Sequence, residues 1–233
     1  MRDGEALLDH GRQRRDHRVS VETEKQLVAH AGAQLVENGM RVGLGTGSTV
    51  SYLLGELARR DLDCVFVATS ARTERDARAL GLNVQTFDTL DQLDVAIDGA
   101  DQVSADGWLN KGGGGAHTRE KLVASAATSF IVIVDSSKLV DALHGPVPLE
   151  LMAFGLANTL RRLSPVEVRD VPASPDGGVI ADYLGVFDDP AALAPWLSST
   201  PGVVEHGLFA PALVHQILVG VDSTVRTITS GGS

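Results

Sequence analysis

Short apolar runs alternate with helical spacings over the first 145 residues. Apolar residues recur at helical intervals in 21–38 and stop at Asn38-Gly39. Compact apolar runs of strand length then follow, separated by further helical segments. The predicted strands are 40–44, 64–68, 95–98 and 130–134, and the predicted helices between them are 49–60, 71–80 and one that begins after Gly115. This alternation predicts an α/β domain whose parallel sheet is covered by helices.

The pattern changes beyond Pro146, where prolines interrupt the chain repeatedly. The predicted elements are a helix at 149–163, strands at 167–171 and 179–184, a helix at 191–197 and a strand near Val203. That order suits a small α+β lid inserted into the larger domain. An apolar segment at 213–221, within 209–228, predicts a return to the first domain. We therefore divide the chain into an extension (1–20), a main domain (21–145 with 207–233) and a lid (146–206).

Composition narrows the classes of partner. The 233 residues carry a formal net charge of −10, which argues against nucleic acid because phosphate-backbone binding needs a basic face. No apolar run reaches membrane-spanning length. Cys64 is the only cysteine, which fits a reducing, cytoplasmic setting. Residues 1–18 mix five arginines with four acids, so we interpret them as a solvated extension and not as a secretory signal.

A glycine-rich turn joins the first predicted strand to the second predicted helix. It contains Gly43, Gly45 and Gly47, followed by Ser48 and Thr49. Free backbone N–H groups at a helix N-terminus favour an anion, and glycine lets the backbone approach it closely. The run has no Lys-Ser/Thr pair and no third glycine at dinucleotide spacing, so it matches neither common nucleotide motif. Neutral Thr69 and Ser70 end the next strand. A small phosphorylated ligand is therefore favoured over a nicotinamide cofactor.

Charged residues and a second glycine run follow the third predicted strand. Asp98 and Asp101 flank Gly99 and Ala100 at the carboxyl end of that strand, where open α/β sheets bind ligands. Lys111 precedes four glycines, 112–115, which predict a second cradle of backbone amides able to stabilise an oxyanion. Glu120 lies early in the next helix. An Asx-type turn, a flexible linker and a solvated helix residue are the respective alternatives for these three features.

Two further lysines are weaker candidates. Lys138 follows the strand at 130–134 and is expected to reach the same crevice, although a surface lysine is equally consistent with its position. Lys25 lies on the first helix. The seven histidines show no metal-ligand spacing, so we predict no metal.

Together, GLGTGST, DGAD, KGGGGA with the following REK, and D-x-S-K resemble the type A ribose-5-phosphate isomerase family, in order and at compatible spacing. A later segment, PGVV with GLFA, is also similar to that family. The resemblance implies a Rossmann-like domain with a smaller ferredoxin-like lid, assembled as a homodimer or larger oligomer. It also implies cofactor-free interconversion of ribose 5-phosphate and ribulose 5-phosphate through an enediolate.

The resemblance also assigns roles by position. Glu120 is the base, and Thr46, Gly47, Ser48 and Thr49 line the phosphate end of the substrate site. Asp98 and Asp101, with Gly99 and Ala100 between them, serve ring opening and hydroxyl binding. Lys111 with Gly112, Gly113 and Gly114 holds the oxygen that gains charge, and Lys138 and Lys25 add positive charge.

Three residues depart from the family pattern near these motifs. They are Gln102, where the family has an acid, Asn110, where it has an apolar residue, and His117, where it has a small or apolar one. His117 shares a helix face with Glu120 and could contact the substrate or shift the pKa of the base. An isomerase of another phosphosugar, a phosphosugar-sensing effector module, and a related hydrolase or deaminase therefore stay open as alternatives.

Overall fold

A six-stranded sheet forms the main domain of the computed structural model, which describes residues 20–229. The helices are α1 (Val21–Gln34), α2 (Ser48–Arg59), α3 (Ala71–Ala79), α4 (His117–Ala126), α5 (Leu156–Leu163) and α6 (Pro190–Ser199). The strands are β1 (Arg41–Leu44), β2 (Val65–Ala68), β3 (Leu93–Asp98), β4 (Gln102–Ser104), β5 (Leu109–Asn110), β6 (Ala127–Asp135), β7 (Leu139–Val140), β8 (Val147–Leu151), β9 (Val166–Val168), β10 (Val179–Tyr183), β11 (Val203–His206), β12 (Leu208–Phe209), β13 (Gln216–Val221) and β14 (Thr224–Thr229). The prediction for 1–20 falls outside the described residues except for Ser20.

The main sheet has the order β14-β13-β6-β3-β1-β2. Its neighbours pair in parallel except at the edge, where β14 runs antiparallel to β13. The chain moves from β1 to β2 on one side and then to β3 on the other. The carboxyl ends of β1 and β3 therefore flank a topological switch point, which is where open α/β sheets bind ligands.

Alternate side chains of the sheet strands fill two separate cores. Ile131 and Ile133 of β6 join the core beneath α1, α2 and α3, whereas Phe130 and Val132 join the core beneath α4. Because both faces are covered, the strands carry continuous apolar runs, as parallel strands do. The helices also pack closely. A Cβ atom at Gly43 of β1 would lie 2.4 Å from Val123 of α4, so glycine is needed at this contact.

The lid is a four-stranded antiparallel sheet in the order β11-β8-β10-β9, with α5 and α6 packed on it. Its sequence of elements is β-α-β-β-α-β, the ferredoxin-like order. The predicted helix over 149–163 is wrong in its first part, since Val147–Leu151 is strand β8 and α5 begins only at Leu156. Every residue of β8 is buried, so the strand lacks the polar alternation that would have identified it.

A third small sheet has the order β12-β5-β4-β7, and its side chains join both the core beneath α4 and the core of the lid. Its strand β5 leads directly to Lys111, whose N–H donates to Gly207 O at 2.8 Å on the return from the lid. The α/β class and the small α+β lid are thus as predicted from the sequence.

Candidate active site

A cavity of about 150 Å³ opens at the carboxyl edge of β1 and β3. Backbone and side chains from both glycine-rich segments face each other across it. It is lined by Thr46, Gly47, Ser48, Thr49, Val50, Gly99, Ala100, Asp101, Lys111, Gly112, Gly113, Gly114, Glu120 and Lys138. The structure therefore brings together all but two of the predicted site residues. The two exceptions are Asp98 and Lys25.

The first wall of the cavity is the N-terminus of α2. Gly47 caps this helix with φ 136°, a conformation that side chains rarely adopt, and no side chain caps the first turn. In an α-helix the first N–H groups have no partner within the helix, so those of Ser48 and Thr49 are free donors toward the cavity. A helix N-terminus with exposed N–H groups binds a phosphate through both hydrogen bonds and the helix dipole.

Thr46 is held in place by hydrogen bonds with a cluster of hydroxyl groups. Its Oγ1 contacts Thr69 Oγ1 and Ser70 Oγ, each at 2.9 Å, and its N–H donates to Asp98 Oδ1 at 3.0 Å. Thr69 and Ser70 do not line the cavity. Their hydroxyls hold the loop that carries Thr46, and Thr46 itself lines the cavity.

A buried group of two carboxylates and one ammonium lies at the cavity floor, where Lys111 and Glu120 line the cavity and Asp98 does not. Lys111 Nζ donates to Asp98 Oδ2 at 2.9 Å and to Gly99 O. Glu120 Oε2 lies 3.2 Å from the same Nζ but outside hydrogen-bond geometry, and no other described group binds it. All three side chains are at most 5% exposed. Glu120 is thus a buried carboxylate held beside a cation at the cavity floor.

The electrostatics of this group favour a base that titrates near neutrality. Burial, and after it the charge of Asp98, raise the pKa of Glu120 to about 8 against the opposing effect of Lys111. Burial alone would lower the pKa of Lys111, but the charges of Asp98 and then Glu120 outweigh it and raise the pKa. Lys111 therefore stays protonated, and Glu120 is the group that gains and loses a proton.

Asp98 is one of the two predicted site residues that do not line the cavity. It is 3% exposed, and its oxygens are taken by Lys111, Thr46 N–H and Gly99 N–H. A Cβ atom at Gly45 would lie 1.8 Å from Asp98 Oδ1, so the loop packs directly on this carboxylate. Asp98 therefore supports the first wall through Thr46 and the floor through Lys111, and it does not itself line the cavity.

The second wall is the glycine run between β5 and α4. Asp101 lies opposite it, and Asp101 Oδ2 accepts a hydrogen bond from Gly113 N–H at 2.8 Å. Gly112 has φ 103°, and a Cβ atom there would lie 2.6 Å from His117 Nδ1. Gly112 O accepts from Gly115 N–H at 3.0 Å and closes a turn. The run is therefore an ordered turn, and the flexible-linker alternative is wrong.

The two weaker lysine candidates have different outcomes. Lys138 ends a short 3₁₀ helix, Ser136–Lys138, and lines the cavity as predicted. Lys25 does not line it; its Nζ pairs with Glu22 at 2.8 Å, one helical turn away on α1. The role of Lys25 at the site stays a prediction.

None of the three residues that depart from the family pattern lines the cavity. Gln102 exchanges hydrogen bonds with the backbone of His144, and Asn110 Nδ2 donates to Pro146 O at 2.9 Å. Both therefore bind the segment that enters the lid. His117 is fully buried, and burial with the nearby charge of Lys121 lowers its pKa to about 3. The interpretation of His117 as a substrate contact is wrong.

Sequence reasoning missed two residues at the site. Val50 adds an apolar patch to the lining. Arg169, in the lid, donates through Nη1 to Gly112 O and Gly113 O, each at 3.0 Å. It lies more than fifty positions along the chain from the glycine run, so no local pattern could have connected the two.

Two features are absent from residues 20–229. No helix in this range is long and apolar enough to span a membrane. Within the same range no three His, Cys, Asp or Glu side chains are grouped as metal ligands would be.

Fold and site together define the class of protein. It is an α/β enzyme-like domain with a ferredoxin-like lid, whose cavity combines an anion-binding helix N-terminus with a buried base and an amide cradle. The family model for ribose 5-phosphate isomerase A (phosphoriboisomerase A) matches residues 65–224. The ribose-5-phosphate isomerase A of Rhodopseudomonas palustris (strain HaA2) is 43% identical over 230 residues, covering 90% of this chain and 99% of that protein. The chain belongs to the ribose 5-phosphate isomerase A family.

Solved structures agree with this assignment. Ribose 5-phosphate isomerase A from Methanocaldococcus jannaschii superposes with a TM-score of 0.84 at 34% identity, covering 90% of this chain and all of that one (100%). A D-ribose-5-phosphate isomerase in complex with phospho-erythronic acid gives a TM-score of 0.84 at 33% identity, covering 91% of this chain and 100% of that one. These neighbours share the parallel sheet domain and the small lid.

Proposed function

We propose that this protein is an aldose-ketose isomerase that interconverts ribose 5-phosphate and ribulose 5-phosphate, with Glu120 as the base. Family membership supports the reaction type. The observation that carries the assignment of the base is the environment of Glu120. It is a buried carboxylate at the cavity floor, beside Lys111, and its pKa is raised to about 8. A base with a pKa near the working pH is the most effective in proton transfer.

The N-terminus of α2 takes the phosphate group of the substrate in this proposal. Ser48 and Thr49 supply backbone and hydroxyl donors, and Gly47 permits close approach. Lys138 lines the same cavity and adds a positive charge to the donors. An acidic chain can thus bind a phosphorylated sugar through local donors, despite a net charge of −10.

The chemical step is a proton transfer between neighbouring carbons. Glu120 removes the proton from C2 of the open-chain aldose, and the electron pair moves through C1 to the aldehyde oxygen, giving an enediolate. The protonated carboxyl group, whose proton exchanges with solvent in part before it is transferred, then protonates C1, while the hydroxyl proton on O2 is lost and O1 is protonated. The ketose results with all atoms retained, so no external oxidant or reductant is needed.

Groups on the floor and the second wall stabilise the charge that forms on oxygen. Lys111 supplies a permanent positive charge, and the amides of the glycine run supply fixed dipoles. Asp101 faces the cavity and takes the roles in hydroxyl binding and ring opening. Asp98 keeps Lys111 charged and in place, so we assign it a supporting role instead of contact with the sugar.

The observations support an isomerase better than a phosphosugar sensor, a hydrolase or a deaminase. A sensor of phosphosugars has no need for a buried base with a raised pKa beside an oxyanion cradle. The related isomerases reported above match over nearly their whole length, which supports an enzyme. A hydrolase or deaminase needs a histidine directed at water or an amine, and His117 is buried away from the cavity.

One assay tests the proposal. Purified protein is incubated with ribose 5-phosphate and, separately, with other aldose phosphates, with and without chelator, while ketose formation is followed. We expect turnover of ribose 5-phosphate that survives the chelator, loss of turnover in Glu120→Gln, and no change in Glu167→Gln, an exposed carboxylate on β9. Turnover of another sugar alone would identify a different substrate. No ketose from any of them would overturn the proposal and favour a sensor.

Three further assignments belong to this proposal. We infer a homodimer or larger homo-oligomer from the family resemblance, which sedimentation of the purified protein tests. We infer a cytoplasmic setting from the single cysteine, Cys64. The division into a main domain (21–145 with 207–233) and a lid (146–206) is supported by a lid sheet that begins at Val147 and ends at His206.

A further inference from the structure

The lid contributes one side chain to the wall of the cavity without lining the cavity itself. Arg169 follows β9, and its N–H donates to Ile180 O at 2.9 Å, which extends the pairing with β10. Its guanidinium binds Asp182 of β10 through two bonds, Nε to Oδ2 at 2.7 Å and Nη2 to Oδ1 at 2.6 Å. Both side chains are only 19% exposed. This bidentate pair fixes the plane of the guanidinium.

The remaining nitrogen of the guanidinium binds the glycine run. Arg169 Nη1 donates to Gly112 O and to Gly113 O, each at 3.0 Å. These peptide bonds are trans, since the only cis bonds among the described residues precede Pro146 and Pro165. In a trans peptide the C=O and the N–H point in opposite directions. The N–H groups of Gly113 and Gly114 must therefore point away from Arg169.

The N–H groups of Gly113 and Gly114 point into the cavity. The Gly113 N–H donates to Asp101 Oδ2 at 2.8 Å, and Asp101 lines the cavity. The Gly114 N–H has no acceptor among the described residues, and Gly114 also lines the cavity. It is a free donor on the side where the substrate oxygen gains charge. A cation bound to a carbonyl oxygen also polarises the peptide and strengthens its N–H as a donor.

We propose that Arg169 is a positioning residue for the isomerisation: bound to Asp182, it orients and polarises the peptides of Gly112 and Gly113 so that the Gly114 N–H donates to the oxygen that becomes negative in the enediolate. This inference rests on the proposed function. It links the lid to catalysis, because the cradle has its productive shape only while β9 and β10 hold the guanidinium against it. Arg169 does not touch the substrate.

The chain offers a matched control for this assignment. Arg119 and Asp176 form a second bidentate pair between the main domain and the lid, at 2.7 and 2.8 Å. Neither residue binds the glycine run or lines the cavity. Arg119→Met removes a lid contact of the same chemistry, so any general effect of lid docking is expected in both variants and any effect on the cradle only in Arg169→Met.

The test compares turnover, KM and the affinity for phospho-erythronic acid. Its carboxylate shares a negative charge over two oxygens, as the enediolate does. We expect Arg169→Met to lower both kcat and the affinity for phospho-erythronic acid by about 10- to 100-fold, with KM for ribose 5-phosphate little changed. Arg169→Lys, which keeps the charge but not the fork, and Asp182→Asn are expected to give intermediate losses. Arg119→Met is expected to stay close to wild type in all three quantities.

Two results would overturn the inference while leaving the proposed function intact. One is an Arg169→Met protein with wild-type kcat and wild-type affinity for phospho-erythronic acid. The other is an equal loss in Arg119→Met, which would indicate lid docking in general. If Arg169→Met does not fold, Arg169→Lys and Asp182→Asn are compared with Arg119→Met in its place.

A second readout does not depend on turnover. The backbone amide resonances of Gly113 and Gly114 are expected to shift in Arg169→Met and Arg169→Lys and to stay in place in Arg119→Met. If the wild-type protein forms no ketose, the proposed function fails, and these resonances still decide whether Arg169 holds the cradle. Unshifted resonances in both Arg169 variants would contradict the inference on their own.

Discussion

The two glycine-rich walls of the cavity present backbone amides in the same way but are supported differently. The first wall, at the start of α2, is supported from within the main domain by hydroxyl groups and by Asp98. The second, at 112–115, is supported by a cation from the lid and borders the buried group formed by Lys111, Asp98 and Glu120.

This difference matches the two kinds of charge on a phosphorylated sugar. The phosphate is charged before, during and after the reaction, so a rigid site with neutral donors suits it. The sugar oxygen gains charge only during the reaction, and only interactions stronger at that moment raise the rate. Changes at the first wall are therefore expected to alter binding, and changes at the second wall and its base to alter turnover.

The largest effect is expected at the base. Glu120→Gln keeps the shape of the side chain but cannot take up the C2 proton, so kcat is expected to fall by about 10²- to 10⁴-fold. Isothermal titration with phospho-erythronic acid serves as the control, since binding at the first wall is expected to persist. A Glu120→Gln protein with wild-type turnover would remove the proposed difference between the walls.

A smaller effect is expected at the first wall, and it concerns substrate binding instead of turnover. Thr49→Val preserves volume but deletes a hydroxyl from the cavity lining. A hydrogen bond to a charged group contributes about 1.5–3 kcal/mol, so KM is expected to rise at least about tenfold while kcat stays near wild type. Steady-state kinetics at several concentrations of ribose 5-phosphate separate the two constants. A fall in kcat with unchanged KM would show that this wall acts on the chemical step.

The raised pKa of Glu120 predicts a dependence of activity on pH. Because the base must be ionised in the free enzyme, kcat/KM is expected to rise with pH and to level off above about 8, where burial and Asp98 have raised this pKa. The pH–rate profile of the wild-type protein measures it. A profile already flat from pH 5 would contradict the raised pKa.

The same group predicts the sign of a stability effect. Glu120 binds its proton up to about pH 8 in the folded protein but only to about 4.5 in the unfolded chain. Between these values the folded state holds more protons, so the free energy of unfolding is expected to fall as pH rises. Denaturant unfolding of wild type and Glu120→Gln at pH 5 and pH 9 tests this. The variant is expected to gain stability relative to wild type at pH 9.

The smallest effect is expected outside both walls, at the entry to the lid. Gln102→Ala loses the hydrogen bonds to the His144 backbone and is expected to lower the free energy of unfolding by about 1 kcal/mol without changing kcat. Gln102→Glu, which restores the family residue, retains the bond from His144 N–H. A tenfold loss of turnover in either variant would mean that this segment acts on the cavity.

Local patterns were sufficient to predict the first wall and most of the second. The strand, the glycine turn and the helix that carry Gly47 and Thr49 lie next to one another in the chain, so their spacing predicts their geometry. The same holds for Lys111, Gly113 and Glu120, which lie within ten residues.

The parts that depend on distant contacts could not be predicted. Strand β8 was mistaken for helix because both its faces are buried, which removes the alternation that distinguishes a strand. Arg169 reaches the glycine run only through the fold of the lid. In each case the deciding contact is tertiary.

The most direct test of Glu120 as the base is the exchange of hydrogen with solvent during turnover in D₂O. NMR of the recovered sugars reports deuterium at C1 of ribulose 5-phosphate and at C2 of ribose 5-phosphate. The account predicts incorporation by the wild-type protein and by the Arg119→Met control, and none above the uncatalysed level by Glu120→Gln. Incorporation by Glu120→Gln at the wild-type rate would contradict it.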